Sequence, residues 1–209
     1  MVDLLALLAQ LGAGPYRDGS SATPGTLYQP MGDAFPALRG VPCHKPEAVR
    51  DDYRAVYAAG YPWDREAVLD LGAATGYYDS LPCAAYHGCE ADPAAVAVAQ
   101  ALGLPVQHWP VTAATAHAAM ARWVPTTVLL LNLPMWLAKQ GELDGVLAAV
   151  RGARVFFQTA GLASGGMVVD DRLGTVEDER AYLGAYFSAV EFVRTTRHHG
   201  GERHLWQCR

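Results

Sequence analysis

The sequence predicts an α/β fold of three layers, a mostly parallel sheet between two layers of helices with an antiparallel C-terminal hairpin. Three observations carry this. From Ala67 onward, short apolar runs alternate with helix-like stretches. Those runs are continuous, without the polar alternation of a half-exposed strand, so both faces of the sheet are covered. The last strand-like run follows a Gly200-Gly201 turn, which closes the sheet with an antiparallel pair. A chain of 209 residues, about half of them apolar, can bury a full core as one domain with an appendage.

The elements follow in order. The opening "MVDLLALLAQLG" is a packing helix with Leu4, Leu7, Leu8 and Leu11 on one side. It carries Asp3 where a signal peptide has a basic residue, and it is too short to cross a bilayer. Residues 13–46 are rich in Gly, Pro, Ser and Thr yet hold Tyr16, Tyr28, Gln29, Phe35 and Arg39, more aromatic content than a spacer needs. "KPEAVRDDYRAVYAAG" reads as a helix: Pro46 suits the first turn, and Val49, Tyr53 and Val56 make an apolar stripe with Gly60 following the last turn. This division sets an N-terminal helix and irregular segment, 1–47, before the main domain, 48–209.

Strands are expected at 67–72, 85–90, 105–109, 126–133 and 154–159. Helices are expected at 92–103, 113–123, 142–152 and 176–187. Asp92 and Pro93 start the first of these, and Gly103 ends it. The stretch "YYDSLPCA" is a short helix that Pro82 ends early. The closing "VEFVRTTRHHGGERHLWQC" is the hairpin.

Charge and cysteine usage narrow the function. A net charge of −5 argues against binding nucleic acid by bulk electrostatics. Cys43, Cys83, Cys89 and Cys208 have neither CxxC spacing nor a partner His at metal-ligand distance, as expected of reduced thiols in a cytoplasmic protein. The arginines and histidines of the hairpin, Arg194, Arg197, His198, His199, Arg203 and His204, read as a solvated surface.

In sheets of this type, ligands bind beyond the carboxyl ends of the strands, beside the first strand. There the sequence places "VLDLGAATGYY", an apolar strand ending in Asp70 and a turn containing Gly72 and Gly76. The glycines let the backbone turn and approach a ligand, and the following helix start offers N–H groups. Twenty residues after Asp70, Glu90 ends the second strand, where an acid grips ribose hydroxyls. A ligand with a positive group and a ribose suits both acids. A nicotinamide dinucleotide suits them less: Ala74 and Tyr77 stand at two of the required glycine positions, and Asp70 repels a pyrophosphate.

The D-x-G-x-x-x-G loop, the acid in "YHGCEADP", the strand order and the end hairpin together resemble the class I (Rossmann-like) S-adenosylmethionine-dependent methyltransferases, over about residues 48–209. The resemblance implies that Asp70, Gly72, Ala73, Ala74 and Gly76 line the methionine part of S-adenosylmethionine. It places Glu90 on the ribose, Ala91 against the adenine, and Asn132 and Leu133 beside the sulfonium methyl and the substrate. The family usually has glycine at the position of Ala74. It also commonly has an acid after the third strand, where this chain reads "HWPVTA", so the adenine edge falls to backbone groups near Val111 and Thr112.

"NLPMW" does not meet the N-P-P-aromatic motif of amino methyltransferases, because Leu133 takes the second place and Trp136 falls one place late. Tyr28, Gln29 and Trp136 are candidate substrate contacts. His108, His117 and Asn132 are the weak candidates for a catalytic group, since a base is needed only for a neutral hydroxyl acceptor. No metal-binding set of carboxylates follows the fourth strand, so methyl transfer without a metal is expected, with a small-molecule acceptor as partner. Nucleic acid and membrane are not expected as partners, and a homodimer is compatible with the sequence. The alternative is a methyltransferase-like protein that keeps the fold and has lost turnover.

Overall fold

The computed structural model describes residues 4–11, 25–160, 171–198 and 201–209. Seven strands form one sheet: β1 (Ala67–Leu71), β2 (Ala85–Glu90), β3 (Val106–His108), β4 (Thr127–Leu131), β5 (Arg154–Ala160), β6 (Val190–His198) and β7 (Gly201–Cys208). Their order is β3-β2-β1-β4-β5-β7-β6. Strands β1 to β5 are mutually parallel, and β7 runs antiparallel between β5 and β6. The chain reverses direction across the sheet between β1 and β4, which is where a ligand crevice opens in such folds.

Helices α1 (Leu4–Gln10), α2 (Pro46–Gly60), α3 (Pro93–Ala101), α4 (Ala113–Trp123), α5 (Pro134–Lys139), α6 (Leu143–Val150) and α7 (Val176–Leu183) complete the described elements. One core joins Val68, Leu129, Phe156 and Leu205 to α1, α2 and α3. The other joins Leu69, Leu71, Val128, Leu130, Val155, Phe157 and Trp206 to α4, α6 and α7. Alternate residues of one strand thus face opposite cores, the two-sided burial expected from unbroken apolar runs. Leu27, Met31 and Leu38 of the irregular segment lie fully inside the first core, and Leu27 forms a bridge with Cys43.

Local chemistry sets the boundaries. Asp92 caps α3 by accepting from the Ala94 N–H at 2.9 Å. Thr112 and Thr115 form a reciprocal cap at the start of α4. After β1 the chain makes only a short 3-10 helix, Tyr77–Ser80, before Pro82. Gly60 is the last residue of α2 rather than the residue after it, and a Cβ there would sit 2.0 Å from the Trp63 ring. Helix α5 was not expected: it is six residues long and starts at Pro134, inside "NLPMW".

The solvated reading of the hairpin is corrected at two positions. Arg203 is 7% exposed and His204 6%. Both lie on β7, a central strand of the sheet, where side chains on both faces are covered. Arg194 is exposed and pairs with Asp51 at 3.3 Å. His199 and Tyr16 lie outside the described residues.

Candidate functional site

The tips of β1 and β2 hold the centre of the site. Gly72 and Gly76 have φ of +81° and +84°, and Ala74 between them has φ of +48°. The left-handed turn accounts for the glycines, and Ala74 holds a conformation costing a non-glycine residue about 1 kcal/mol. The turn rests directly on the sheet because β2 carries Gly88 beneath it. A Cβ at Gly88 would lie 2.8 Å from the Ala73 Cβ and 2.9 Å from the Val106 side chain. A glycine inside a predicted strand was the signal for this close approach.

The N–H groups of the turn are mostly engaged. Those of Gly72 and Ala73 donate to the Cys89 carbonyl at 2.9 and 3.0 Å, and that of Gly76 to the Ala73 carbonyl at 2.8 Å. The Ala74 N–H donates to Glu90 Oε2 at 2.7 Å. Glu90 Oε1 accepts from Ala91 and Asp92, both at 2.8 Å. The acid at the end of β2 therefore clamps the glycine turn to the start of α3. A carboxylate offers about four acceptor positions, so Oε2 keeps one for a hydroxyl.

Asp70 faces the first core and is 3% exposed. Its Oδ2 accepts from the Tyr86 hydroxyl at 2.7 Å. Burial pushes its pKa up to about 7, against the opposing effect of the Tyr86 hydrogen bond. Burial also raises the pKa of Glu90, and its backbone hydrogen bonds pull the other way. A buried acid, Asp70, and a half-buried one, Glu90, beside one turn favour a cationic ligand, whose charge opposes the upward push of burial on both.

Gln29 arrives from the irregular segment. Buried at the turn, its Oε1 accepts from the Tyr77 N–H at 3.1 Å and from the Thr75 hydroxyl at 3.3 Å. Its neighbour Tyr28 has Lys45 Nζ 5.4 Å from its ring centroid. At the tip of β4, Asn132 has φ of +60°, and its Oδ1 is buried without a hydrogen-bond partner. Leu133 follows it and packs over Gly72, where a Cβ would meet the Leu133 side chain at 3.2 Å. Leu133 thus abuts the glycine turn, with Asn132 beside it in the chain.

Ala91 follows Glu90, and its carbonyl is 3.0 Å from His108 Nε2. His108 is exposed at the end of β3, and His117 is exposed on α4. Val111 is buried, and the Thr112 N–H is taken by the Thr115 hydroxyl at 2.8 Å. Trp136 is partly exposed on α5 with Lys139 Nζ 4.6 Å from its ring centroid. Among the described residues, no group of three or more His, Cys, Asp or Glu side chains is placed to hold a metal ion.

Two buried polar groups near the tips of β5 and β7 escaped the sequence reading. On the α7 side, Glu179 accepts from the Thr159 hydroxyl at 2.6 Å, from Trp206 Nε1 at 2.7 Å, and faces His204 Nδ1 at 3.0 Å. Hydrogen bonding to Glu179 raises the His204 pKa, against burial. On the α2 side, Gln158 Nε2 donates to Asp52 Oδ1 at 2.8 Å and to the Thr196 hydroxyl at 3.2 Å, with Arg203 on the same face. Burial pushes the Asp52 pKa up to about 6. A charged residue at an apolar position of a helix was the signal for Asp52, but its partners lie over 100 residues away.

The fold is that of the class I methyltransferases. The bifunctional kinase–methyltransferase WbdD, in complex with a kinase inhibitor, aligns with a TM-score of 0.69 at 17% identity, over 99% of this chain and 47% of WbdD. This chain spans about half the length of WbdD. Magnesium protoporphyrin IX methyltransferase (ChlM) from Synechocystis PCC 6803, with bound S-adenosylmethionine, aligns at 0.56 and 16% identity, over 78% of this chain and 80% of that one. The N-methyltransferase NodS from Bradyrhizobium japonicum WM9 aligns at 0.54 and 13% identity, over 78% and 96%. No family model and no curated protein sequence matches the chain. No helix among the described residues is long and apolar enough to cross a membrane.

Proposed function

We propose that this protein is a metal-independent methyltransferase that moves the methyl group of S-adenosylmethionine to a small-molecule acceptor. The observation that carries the reading is the pairing of Asp70 and Glu90 on adjacent strand tips around a left-handed glycine turn, at the crevice between β1 and β4. ChlM, of the same fold, binds S-adenosylmethionine.

The residues present fit that cofactor. Glu90 Oε2 has an acceptor position for a ribose hydroxyl, and the carboxyl of Asp70 lies at the turn where the methionine end belongs. The buried Oδ1 of Asn132 lacks a partner and takes an N–H or O–H donor from cofactor or acceptor. S-adenosylmethionine supplies a methyl group already activated by its sulfonium. The protein's share is to hold the acceptor in line with that group and to exclude water, with Leu133 and Gly72 forming one wall. Calorimetric titration of the purified protein with S-adenosylhomocysteine tests the reading; saturable binding is expected, and a flat titration on folded protein removes it.

The engaged N–H groups of the glycine turn favour a second reading, a methyltransferase-like binding protein without turnover. Incubation with labelled S-adenosylmethionine and a metabolite extract separates the two. Label transferred to a small molecule excludes the second reading, and binding without transfer supports it.

A further inference from the structure

Arg203 is a buried cation that, among the described residues, has no counter-charge in contact. It is 7% exposed, and its Nη1 has no hydrogen-bond partner. Asp52 and Tyr28 act on it through space, and burial, the larger effect, pulls its pKa below the ordinary arginine value. Among the described residues no carboxylate forms an ion pair with it. Asp52, the nearest acid named by these interactions, is committed to Gln158 and Thr196. Gln158, 0% exposed on the same sheet face, is also incomplete: its Oε1 has no partner.

Fully buried guanidinium groups are retained in proteins when a carboxylate or phosphate meets them, since the desolvation cost is otherwise unopposed. Water satisfies an amide oxygen but does not neutralise a guanidinium. The two incomplete groups have complementary needs: Arg203 lacks an oxyanion and Gln158 lacks a donor. Both lie near the tips of β5 and β7, opposite Ala160 and Leu205 respectively. From β4, which carries Asn132, β7 is two strands away, about 10 Å at the usual strand spacing. That is the span of a small molecule whose far end is held at Arg203 while its nucleophile reaches the tip of β4.

We propose that Arg203 and Gln158 form the anchoring subsite for the methyl acceptor, and that the acceptor is a small molecule bearing an oxyanion together with a hydrogen-bond donor. Arg203 pairs with the oxyanion, in the bidentate manner that suits a guanidinium, and Gln158 Oε1 accepts from a hydroxyl or amine beside it. Asp52 and Thr196 hold the Gln158 amide so that its oxygen points away from them. The proposal rests on the methyltransferase reading for the word acceptor, but the subsite binds an oxyanion whether or not that reading holds.

The test uses the full chain labelled with 15N-arginine. The Nε–Hε signal of Arg203 is assigned by its loss in Arg203→Lys, and sodium benzoate, sodium acetate and inorganic phosphate are titrated against sodium chloride at equal ionic strength. A saturable shift of that signal with an oxyanion and not with chloride is expected, largest with the oxyanion closest to the natural one. In thermal melts the same oxyanion raises the wild-type midpoint, and Arg203→Met weakens its apparent affinity at least tenfold. Equal responses to chloride, or an oxyanion effect that persists in Arg203→Met, overturn the proposal. If Arg203→Met does not fold, the wild-type titration and Arg203→Lys decide alone. S-adenosylhomocysteine binding by the wild type is measured in parallel: its absence with the oxyanion shift intact removes the methyltransferase reading only, and its presence without any oxyanion shift removes the subsite only.

Discussion

Arg203 and His204 are neighbours on β7, both buried, and point to opposite faces of the same sheet. On one face His204 meets Glu179 at 3.0 Å, and Thr159 and Trp206 supply two further donors to that carboxylate. On the other face, among the described residues, Arg203 has no acid in contact, and Gln158 keeps an unpartnered oxygen. The same pair of strands thus builds one finished polar cluster and one unfinished cluster. The contrast locates the unfinished one as a binding feature of that face, since the fold completes an equivalent group a residue away.

The largest expected effect is on the finished face. Glu179→Ala leaves Thr159, His204 and Trp206 without their shared acceptor, and unfolding measurements should show a loss of about 3–5 kcal/mol. If the loss is below 1 kcal/mol, the Glu179 cluster is no more complete than the Arg203 one and the contrast fails. Glu90→Ala, at the tip of β2, strands three backbone N–H groups, with an expected cost of about 3 kcal/mol or more. Its binding of S-adenosylhomocysteine should weaken by at least tenfold.

Acidity sharpens the contrast next. Asp70 and Asp52 have raised pKa values, about 7 and about 6, so the folded protein holds protons that the unfolded chain releases near pH 4. Their burial therefore costs progressively more stability as pH rises from about 4 to 7. His204 has the same sign from the opposite charge: its raised pKa gives stability that is fully present below the unfolded value of 6.5 and is lost as pH rises through the folded value. The melting temperature should fall between pH 5 and 8. Asp70→Asn should flatten that fall by an amount on the order of 2–4 kcal/mol at pH 8, while weakening S-adenosylhomocysteine binding. A melting temperature flat across this range would show that these groups titrate as exposed ones do.

Smaller effects belong to the turn. Gly88→Ala should cost about 1–3 kcal/mol, because Ala73 and Val106 must move aside. Ala74→Gly relieves a left-handed alanine and loosens the unfolded chain, so its net change should stay within about 1 kcal/mol. Chemical denaturation of the two variants gives both figures.

The two regions were not equally legible in the sequence. The glycine turn and Glu90 are local signals: their residue types, spacing and strand-end positions stand within one stretch of chain. Continuous apolar runs likewise announced five parallel strands to within a residue or two at most ends. The β5–β7 clusters carry no such signal. Asp52 and Gln158 are 106 residues apart, and Arg203 and His204 look like hairpin surface until β7 is seen to lie between β5 and β6. Sheet order buries them, and sheet order is not a property of any one segment. The engagement of the Tyr77 N–H, just past the turn, was hidden for the same reason, since Gln29 reaches it from 48 residues upstream.

Gln29 keeps in shape the cradle that the glycine turn forms. Gln29 pins Thr75 and Tyr77 from a segment that belongs to neither strand flanking the turn. Undocking of residues 25–45 would release the cradle into several conformations, and a ligand would then bind with an apparent affinity reduced by the fraction still in the competent one. The stretch ahead of the sheet is in this sense a tuning peg: its grip sets how much of the population is ready before any ligand arrives.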